Sequence, residues 1–313
     1  MTETTTTSVL ITQGDSGAGR AITRQLRAAG YKAASVTNTQ SGAAAIRAAG
    51  GLPTFVDTLR AGEVKSAIQM TKAEAIVNLY SVAAVGLPYR VNEDAQLVER
   101  TTALLAGAEA SSVKFIVHVS PVLLYGAGHH VDESAPLKAE GAPLMAALKQ
   151  CEKLVQSSSI PSVILRAGYI YGPHSTELQN LAEALRGGIM AIMSSKKHAS
   201  WVHEDDLAHA VALAVQQQPN GEVFNIVDDT PTSTEAFLES FAEEQGLQTT
   251  PRLMALLGRS YSNRAANNLL AVDVTASNAK AKEALGWSPR YAAQHPGIEH
   301  TLLIWRAEAA AKA

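Results

Sequence analysis

The sequence is short of the groups that would cross-link it or place it in a membrane. Cys151 is its only cysteine, so no disulfide can form within the chain, which fits a reducing compartment. No apolar run approaches the ~20 residues that cross a bilayer. The polar start, residues 1–7, lacks the cationic and apolar segments of a secretion signal. We therefore expect a cytoplasmic protein without a membrane partner.

An excess of positive charge is also absent. Lys and Arg number 26 against 29 Asp and Glu, so nucleic acid is not expected as a partner. His129 and His130 stand beside Asp132 and Glu133, but adjacent histidines on a loop lack the usual spacing of metal ligands. We expect no metal site.

A glycine-rich turn between a strand and a helix organises the sequence. Residues 9–11 form a short apolar run that is typical of a buried strand. Glycines follow at positions 14, 17 and 19, and a helical pattern then runs to about Ala29, just before Gly30. Free N–H groups and the helix dipole at such a junction hold the pyrophosphate of a dinucleotide.

Apolar strands alternate with helical patterns through the first half of the chain. The spacing predicts strands over 9–11, 32–37, 53–56, 75–79 and 114–119, with helices over 21–29, 41–49, 62–70 and 93–110. This alternation predicts βαβ units and a doubly wound parallel sheet. Further helices are expected over 143–156, 178–185, 203–217 and 233–245, strands over 162–165 and 222–227, and mostly helix over 251–313.

Four segments of the second half carry a family resemblance. They are residues 164–173 (ILRAGYIYGP), 201–208 (WVHEDDLA), 221–226 (GEVFNI) and 277–287 (SNAKAKEALGW). In this order they resemble the extended short-chain dehydrogenases/reductases, the NAD-dependent epimerases/dehydratases, and the resemblance covers nearly the whole chain.

The resemblance implies a division of the chain into two parts. An α/β Rossmann domain over residues 1–170, completed by parts of 190–230, would bind NAD(P). A smaller, mostly helical substrate-type domain over 171–313 would be interleaved with it. The resemblance also implies a homodimer formed through two long helices, and a small-molecule ligand in the cleft between the domains.

The resemblance assigns cofactor-binding residues, some of which depart from the family pattern. Gln13 stands at the first glycine of the T-G-x-x-x-G-x-G spacing, where a residue held at positive φ costs ~1 kcal/mol. The second strand ends in Thr37 and Asn38 rather than the acid that favours NAD or the base that favours NADP. Arg20 could meet a 2′-phosphate, and bulky Tyr80 would fill part of the space at the nicotinamide ribose. The predicted cofactor residues are Thr12, Gly14, Gly17, Ala18, Gly19, Asn38, Asp57, Leu79 and Tyr80.

These departures predict a weakened NAD or NADP site, and they leave open that the site holds no cofactor.

The family's proton chemistry uses a Tyr, a Lys four residues later on the same helix face, and a Ser or Thr that orients the substrate oxygen. Aligned on the helix over 143–156, the Tyr and Lys positions hold Leu144 and Leu148, and Pro121 takes the hydroxyl position.

A register shifted by one residue would bring in Lys149 but would put Met145 at the Tyr position. In the first register Lys149 is turned about 100° away from that face. No Y-x-x-x-K occurs in the sequence. Tyr169 remains as a candidate proton donor near the expected cleft.

Two classes of function follow. The three apolar residues favour an atypical NAD(P)-binding protein without the family's hydride and proton chemistry, a pseudoenzyme with a regulatory, sensor or scaffold role. The well-kept substrate-domain motifs favour an enzyme with relocated catalytic groups, such as a lyase, isomerase or reductase acting on a nucleotide sugar or a biosynthetic intermediate. Fold alone cannot choose between them.

Overall fold

The structure, a computed structural model, describes residues 7–85, 96–138, 143–187, 197–247 and 272–312. The described strands, in chain order, are β1 (Ser8–Ile11), β2 (Lys32–Val36), β3 (Leu52–Thr54), β4 (Ala73–Asn78), β5 (Phe115–Pro121), β6 (Gly128–Val131), β7 (Ser162–Ala167), β8 (Tyr169–Tyr171), β9 (His198–Ala199), β10 (Trp201–His203), β11 (Val223–Ile226), β12 (Thr232–Ser233) and β13 (Val274–Ala276).

The described helices alternate with these strands and follow them. They are α1 (Gly17–Ala28), α2 (Gln40–Ala48), α3 (Ala61–Thr71), α4 (Tyr80–Ala84), α5 (Leu97–Glu109), α6 (Pro143–Gln156), α7 (Thr176–Arg186), α8 (Glu204–Gln217), α9 (Thr234–Glu244), α10 (Ala279–Ala284) and α11 (Gln294–Lys312). A short 3-10 helix, Val122–Tyr125, follows β5. Among the helices in the described ranges, none has both the length and the apolar character needed to cross a bilayer.

Seven strands form one parallel sheet in the order β11-β7-β5-β4-β1-β2-β3. The chain runs outward from β1 through β2 to β3, returns to β4 on the other side of β1, and continues through β5 and β7 to β11. This confirms the predicted doubly wound α/β fold. It also puts the reversal of strand order between β1 and β4, and such sheets form a crevice at that point, beyond the carboxyl ends of the strands.

Apolar side chains cover both faces of the sheet. Leu10 belongs to a buried cluster with residues of α3, α5 and α6, whereas Val9 and Ile11 belong to a second cluster with residues of α1 and α8. A parallel strand that is covered on both faces has no exposed side to be polar. This is why β1 has a continuous apolar run in the sequence and could be predicted from it.

The short strands outside the large sheet were not predicted. β6, β9, β12 and β13 form a four-stranded sheet, and β10 pairs with β8. Each has only two to four residues, too few to show the two-residue period of a strand. The prediction of mostly helix over 251–313 is wrong at Val274–Ala276, and residues 251–271 lie outside the described ranges.

Several predicted boundaries also differ from the structure; the helix predicted over 21–29, for example, is Gly17–Ala28. The strand predicted over 53–56 is Leu52–Thr54. The helix predicted over 93–110 is Leu97–Glu109, with residues 93–95 outside the described ranges. Within the 190–230 region, β11 forms the edge of the large sheet beside β7, while residues 190–196 lie outside the description.

The C-terminal part of the chain is attached directly to α8. Trp287 is fully buried, and its indole N–H donates to the Asp206 carbonyl oxygen at 2.9 Å. The Asp206 carboxylate accepts the backbone N–H groups of Arg290 at 2.8 Å and Tyr291 at 3.0 Å. In addition, β13 pairs with β6, a strand from the first half of the chain. Residues near the end of the chain therefore complete a sheet and a helix packing that residues earlier in the chain begin.

A buried ion pair joins α6 to the sheet. Arg166 on β7 donates from Nε and Nη2 to the two carboxylate oxygens of Glu152 on α6, at 3.1 and 2.8 Å. Its Nη1 donates to the Tyr125 hydroxyl at 2.7 Å, and that hydroxyl donates to Asn225 Oδ1 at 2.8 Å. The charges of Arg166 and Glu152 are thus paired and hydrogen-bonded, as buried charges must be.

Replacing only one partner of this pair should be costly. Arg166→Met leaves Glu152 buried without its counterion and should lower the free energy of unfolding by ~3–5 kcal/mol, whereas Arg166→Met with Glu152→Leu should lose clearly less. Urea unfolding measures both. Lys114→Met, in the exposed pair with Glu74, is the control and should change stability by less than ~1 kcal/mol. Equal losses in the single and double variants would contradict the coupling.

Candidate functional site

The glycine turn after β1 is formed even though its first glycine is missing. Gln13 takes a φ of 50°, the positive value that its position was predicted to need. The Ser16 hydroxyl donates to the Gln13 carbonyl oxygen at 2.7 Å and accepts the Gly19 N–H at 3.0 Å, which caps α1. The Gly14 N–H donates to the Val36 carbonyl oxygen at 2.8 Å and so ties the turn to β2.

Close approach explains two of the turn's glycines. A Cβ on Gly14 would lie 2.4 Å from the Cβ of Ser35 on β2. A Cβ on Gly17 would lie 2.9 Å from the Glu204 side chain and from the backbone at His174. The turn can therefore press against β2 on one side and against the start of α8 on the other only because both positions lack a side chain.

Two cavities open beside the turn. The first, the β2-side cavity, has a volume of about 550 Å³ and lies beyond the ends of β2 and β3. The second, the α4-side cavity, has a volume of about 270 Å³ and lies between the turn, α4 and β8. Gln13 and Asp15 line both cavities, so the turn separates two halves of one continuous site.

The structure distributes the predicted cofactor residues over these two cavities. Asn38, Asp57 and Tyr80 line the β2-side cavity, and Gly17, Ala18 and Leu79 line the α4-side cavity. Thr12, Gly14 and Gly19 are buried in and beneath the turn. Tyr80 therefore lies on the opposite side from Leu79, where it does not fill the α4-side cavity. Burial raises the pKa of its phenol to about 12, so the hydroxyl keeps its proton.

Thr12 fixes the junction between β1 and β4. Its hydroxyl accepts the Leu79 N–H at 2.7 Å and lies 3.4 Å from Asn78 Oδ1, to which it donates. Asn78 Oδ1 also accepts the Tyr80 N–H at 3.1 Å. Because Leu79 and Tyr80 line different cavities, this one hydroxyl and one amide set the wall of each.

A buried histidine supports the same junction. Asn78 Nδ2 donates to His118 Nδ1 at 3.1 Å, which leaves the proton on Nε2, and Nε2 donates to Ser81 Oγ at 3.3 Å. Burial lowers the pKa of His118 to about 4, with a smaller opposing effect of Glu152. His118 is therefore neutral at pH 7 and acts as a fixed donor and acceptor.

Acid should weaken this junction. The unfolded chain protonates His118 near its ordinary pKa of ~6.5, whereas the folded protein resists protonation until about pH 4, so its contribution to stability is lost as pH falls through that range. Between pH 7 and 5, wild type should lose about 2 kcal/mol more unfolding free energy than His118→Gln. Urea unfolding at both pH values tests this, with exposed His129→Gln as control. A wild-type loss that His118→Gln reproduces in full would contradict it.

The three positions predicted to lack proton-transfer groups lie in the core. Pro121 ends β5 beside Ala167, and Leu144 and Leu148 are buried on the inner face of α6. None of these three lines either cavity. In the shifted register, Met145 is also buried, while Lys149 is exposed and donates to the Leu137 carbonyl oxygen at 3.1 Å. Neither register brings a titratable side chain of α6 to the cavities.

Tyr169 lies away from the α4-side cavity. Side chains alternate along β8, so Ile170 lines the cavity and Tyr169 turns to the opposite side. There its ring packs 5.3 Å from that of Trp201, centre to centre. Burial raises the pKa of its phenol above the ordinary value. The structure thus gives this candidate proton donor no contact with the cavity.

Two acidic residues at the turn were missed by sequence reasoning. Asp15 lines both cavities, and Glu204 is fully buried at the wall of the α4-side cavity. Glu204 Oε1 accepts from His174, while Oε2 has no hydrogen-bond partner within the described ranges. Both residues stand at variable positions of the motifs, between the matched letters, so motif comparison passes over them. Arg20, which could have met a 2′-phosphate, donates to the His174 carbonyl oxygen.

Metal-ligand clusters lie elsewhere in the described structure. His203 with Asp205 and His300, and Glu244 with His295 and Glu299, each bring three potential ligand atoms together. His203 Nδ1 accepts the Asp205 N–H at 3.2 Å, so its Nε2 carries the proton and offers no lone pair. None of the six residues lines either cavity beside the turn.

The burial of Leu148 predicts what a lysine there would do. Leu148→Lys places an ammonium in the core without a partner and should lower the unfolding free energy by ~3 kcal/mol or more. Leu148→Met keeps the volume and should cost less than ~1.5 kcal/mol. Thermal and urea unfolding of the two variants make the comparison. A lysine tolerated as well as methionine would show that this face of α6 meets solvent.

The strand, turn and helix at the reversal of strand order, with a cavity on each side, define a protein of the Rossmann fold class. A family model described as "NAD dependent epimerase/dehydratase family" matches residues 9–227. The chain belongs to this family.

Two curated relatives are named as reductases. One, from Streptomyces sp, is a 3-diazoavenalumate denitrifying reductase, 26% identical over 77% of this chain and 84% of its own length. The other, from Stigmatella aurantiaca, is a 4-hydroxy-2-methyl-3-oxo-4-farnesyl-3,4-dihydroquinoline-1-oxide ketoreductase, 29% identical over 61% of this chain and 65% of its own length.

The solved structures bear on the fold. UDP-glucose 4-epimerase from Thermotoga maritima, solved with UDP-glucose, is 20% identical and superposes with a TM-score of 0.78 over 96% of this chain and 99% of its own. UDP-glucose 4-epimerase from Thermus thermophilus, solved with NAD, is 22% identical with a TM-score of 0.76 over 96% of this chain and 99% of its own.

Proposed function

We propose that the protein binds NADH and is a reductase that delivers hydride without a proton-donating Tyr–Lys pair. The observation that carries the proposal is the α4-side cavity, where an apolar wall adjoins the phosphate-binding turn. Val82, Ala83, Val85 and Ile170 form that wall. The two relatives support hydride transfer in general, although their names, a denitrifying reductase and a ketoreductase, point to different substrates.

The wall suits the nicotinamide ring. With the pyrophosphate at the turn, the α4-side cavity is the space available to the far end of the dinucleotide. Val82 and Ile170 would pack against a flat, largely apolar ring there, and hydride transfer would be favoured where water is excluded. NADH supplies the hydride. The protein's own part is to bind and orient the ring, with Leu79 held in place through Thr12.

The missing Tyr–Lys pair limits the substrates. A ketone that receives hydride becomes an alkoxide and needs a proton, which Leu144 and Leu148 cannot give. A cationic electrophile needs none. For a diazonium ion the balance is complete with hydride alone: hydride forms the C–H bond, the C–N bond breaks, N₂ leaves, and NADH becomes NAD⁺. We therefore propose cationic electrophiles as the substrate class, with the substrate in the cleft beside α4.

A non-catalytic sensor or scaffold that binds the cofactor is the second function. The same three apolar positions, Pro121, Leu144 and Leu148, favour it. It differs from the reductase in one respect that can be measured, because a sensor binds NADH saturably and leaves it reduced.

Deuteride transfer tests the proposal. NADH deuterated at C4 is mixed with the protein and either 4-carboxybenzenediazonium or 4-acetylbenzoate, and NMR follows the products. We expect deuterium on the arene carbon that lost N₂, at a rate above the protein-free rate, and little reduction of the ketone.

Ala83→Trp provides the matched variant. Ala83 is exposed in the α4-side cavity, so tryptophan fills the cavity without entering the core and should lower the transfer rate at least about tenfold. Ala48→Trp, exposed on the last turn of α2, is the control and should leave the rate unchanged. NADH binding without turnover of either substrate would favour the sensor, and absence of NADH binding would contradict both functions.

A further inference from the structure

We propose that Asp15, a residue of the glycine turn, takes the position of the missing acid at the end of β2, where it holds the adenosine ribose hydroxyls and makes the protein selective for NAD(H) over NADP(H). The inference rests on the proposed function, since it concerns the same cofactor. It assigns a specificity-determining role to a residue outside the matched letters of the turn motif.

The carboxylate of Asp15 reaches across to the end of β2. Its Oδ2 accepts the hydroxyl of Thr37, the residue directly after β2, at 2.7 Å. The Thr37 N–H donates to the Thr54 carbonyl oxygen at 3.1 Å, so the hydroxyl stands on a backbone that β3 holds in place. Thr37 itself is buried, and Asn38 beyond it is exposed. The turn thereby supplies the negative charge that the strand end does not.

The start of α2 leaves space for the Asp15 side chain. A Cβ on Gly42, in the first turn of α2, would lie 2.5 Å from Asp15 Oδ2 and 2.2 Å from Thr37 Oγ1. Only glycine leaves room for the pair. The N-terminal end of α2 also favours an anion. Asp15 already supplies an anion there, so a cofactor phosphate brought to the same place would meet like charge.

Hydrogen bonding leaves part of the carboxylate available to a ligand. Within the described residues, Thr37 engages Oδ2 alone, and Asp15 lines the β2-side cavity. A carboxylate oxygen is an acceptor for ribose hydroxyls, which are donors. The same oxygen repels a 2′-phosphate. One atom therefore gives both attraction for NAD(H) and discrimination against NADP(H).

The other charged residues that line the β2-side cavity are on balance negative, with Arg100 as the opposing cation. Asp57 and Glu63 add negative charge, and each meets the exposed Arg60, at 3.0 and 3.7 Å. Asp57 also accepts the Leu59 N–H at 3.0 Å. Arg100 lines the cavity as well, with its guanidinium donating to Thr58 Oγ1. Arg20, the base that the sequence offered for a 2′-phosphate, is directed to the carbonyl oxygen of His174 instead.

Binding of NADH and NADPH to the intact protein tests the inference. Calorimetry and nicotinamide fluorescence give dissociation constants for wild type and Asp15→Asn, which keeps the shape and an acceptor for Thr37. We expect wild type to bind NADH at least about tenfold more tightly than NADPH. Asp15→Asn should weaken NADH binding and strengthen NADPH binding, so that the ratio falls about tenfold or more.

Two further variants separate charge from structure. Asp57→Asn removes a neighbouring charge that is already paired with Arg60, so the ratio of the two affinities should fall less than with Asp15→Asn. Thr37→Val removes the donor to Asp15 but keeps the carboxylate, so NADH binding should weaken while NADPH remains disfavoured. Melting temperatures show whether each variant is folded. If Asp15→Asn fails to fold, Thr37→Val still tests the inference, because a collapse of the NADH preference there contradicts the role of the charge.

The outcomes also distinguish the role of Asp15 from the proposed reductase function on which it rests. A wild type that prefers NADPH, or an Asp15→Asn ratio equal to that of wild type, overturns the role of Asp15 and leaves NAD(P)H-dependent reduction standing. A wild type that binds neither dinucleotide contradicts the proposed function and the inference together.

Discussion

The hydrogen bond between the Leu79 N–H and the Thr12 hydroxyl holds the site together. It joins the ends of β1 and β4, the two strands between which the sheet reverses its order. On one side of this bond the chain enters the glycine turn, and on the other it enters α4. Both cavities take a wall from each of these segments. Asn78 and His118 back the bond from within the sheet, where no water competes for their hydrogen bonds.

The neutral state of His118 belongs to the same arrangement. A protonated ring would have two donors and could not accept from Asn78, so the chain of hydrogen bonds requires the uncharged tautomer. Burial supplies that tautomer without a counter-charge. The cleft is thereby supported by groups that carry no charge at neutral pH. The charged side chains that line the α4-side cavity, Asp15, Glu177 and Glu204, belong to the turn, to α7 and to the start of α8 rather than to the sheet.

The sequence was sufficient to predict the sheet, because parallel strands covered on both faces appear as apolar runs such as residues 9–11. It also predicted the strained backbone of Gln13, because the motif names a position that glycine would normally hold. It was insufficient for the short strands, because a segment such as Val274–Ala276 is too short to show the two-residue alternation of a strand. Asp15 was missed for another reason. Its partner Thr37 is 22 residues away, and only the folded turn brings the two together.

The predicted roles of Pro121, Leu144 and Leu148 depended on an alignment with family motifs. The structure adds that all three are packed in the core, so their apolar character has a structural use whatever the chemistry of the cleft. Packing and catalysis make different demands on one helix face. On α6 packing prevails.

The pairing of β6 with β13 has a consequence for folding during synthesis of the chain. During synthesis, residues 128–131 leave the ribosome long before residues 274–276, and the large sheet has all seven strands by residue 226. Until residues 274–287 emerge, β6 lacks β13, the strand beside it in the described four-stranded sheet, and α8 lacks the cover of Trp287. A nascent chain at this stage presents a strand edge and an uncovered helix to its surroundings. These two contacts therefore become available only after all seven strands of the large sheet have been synthesised.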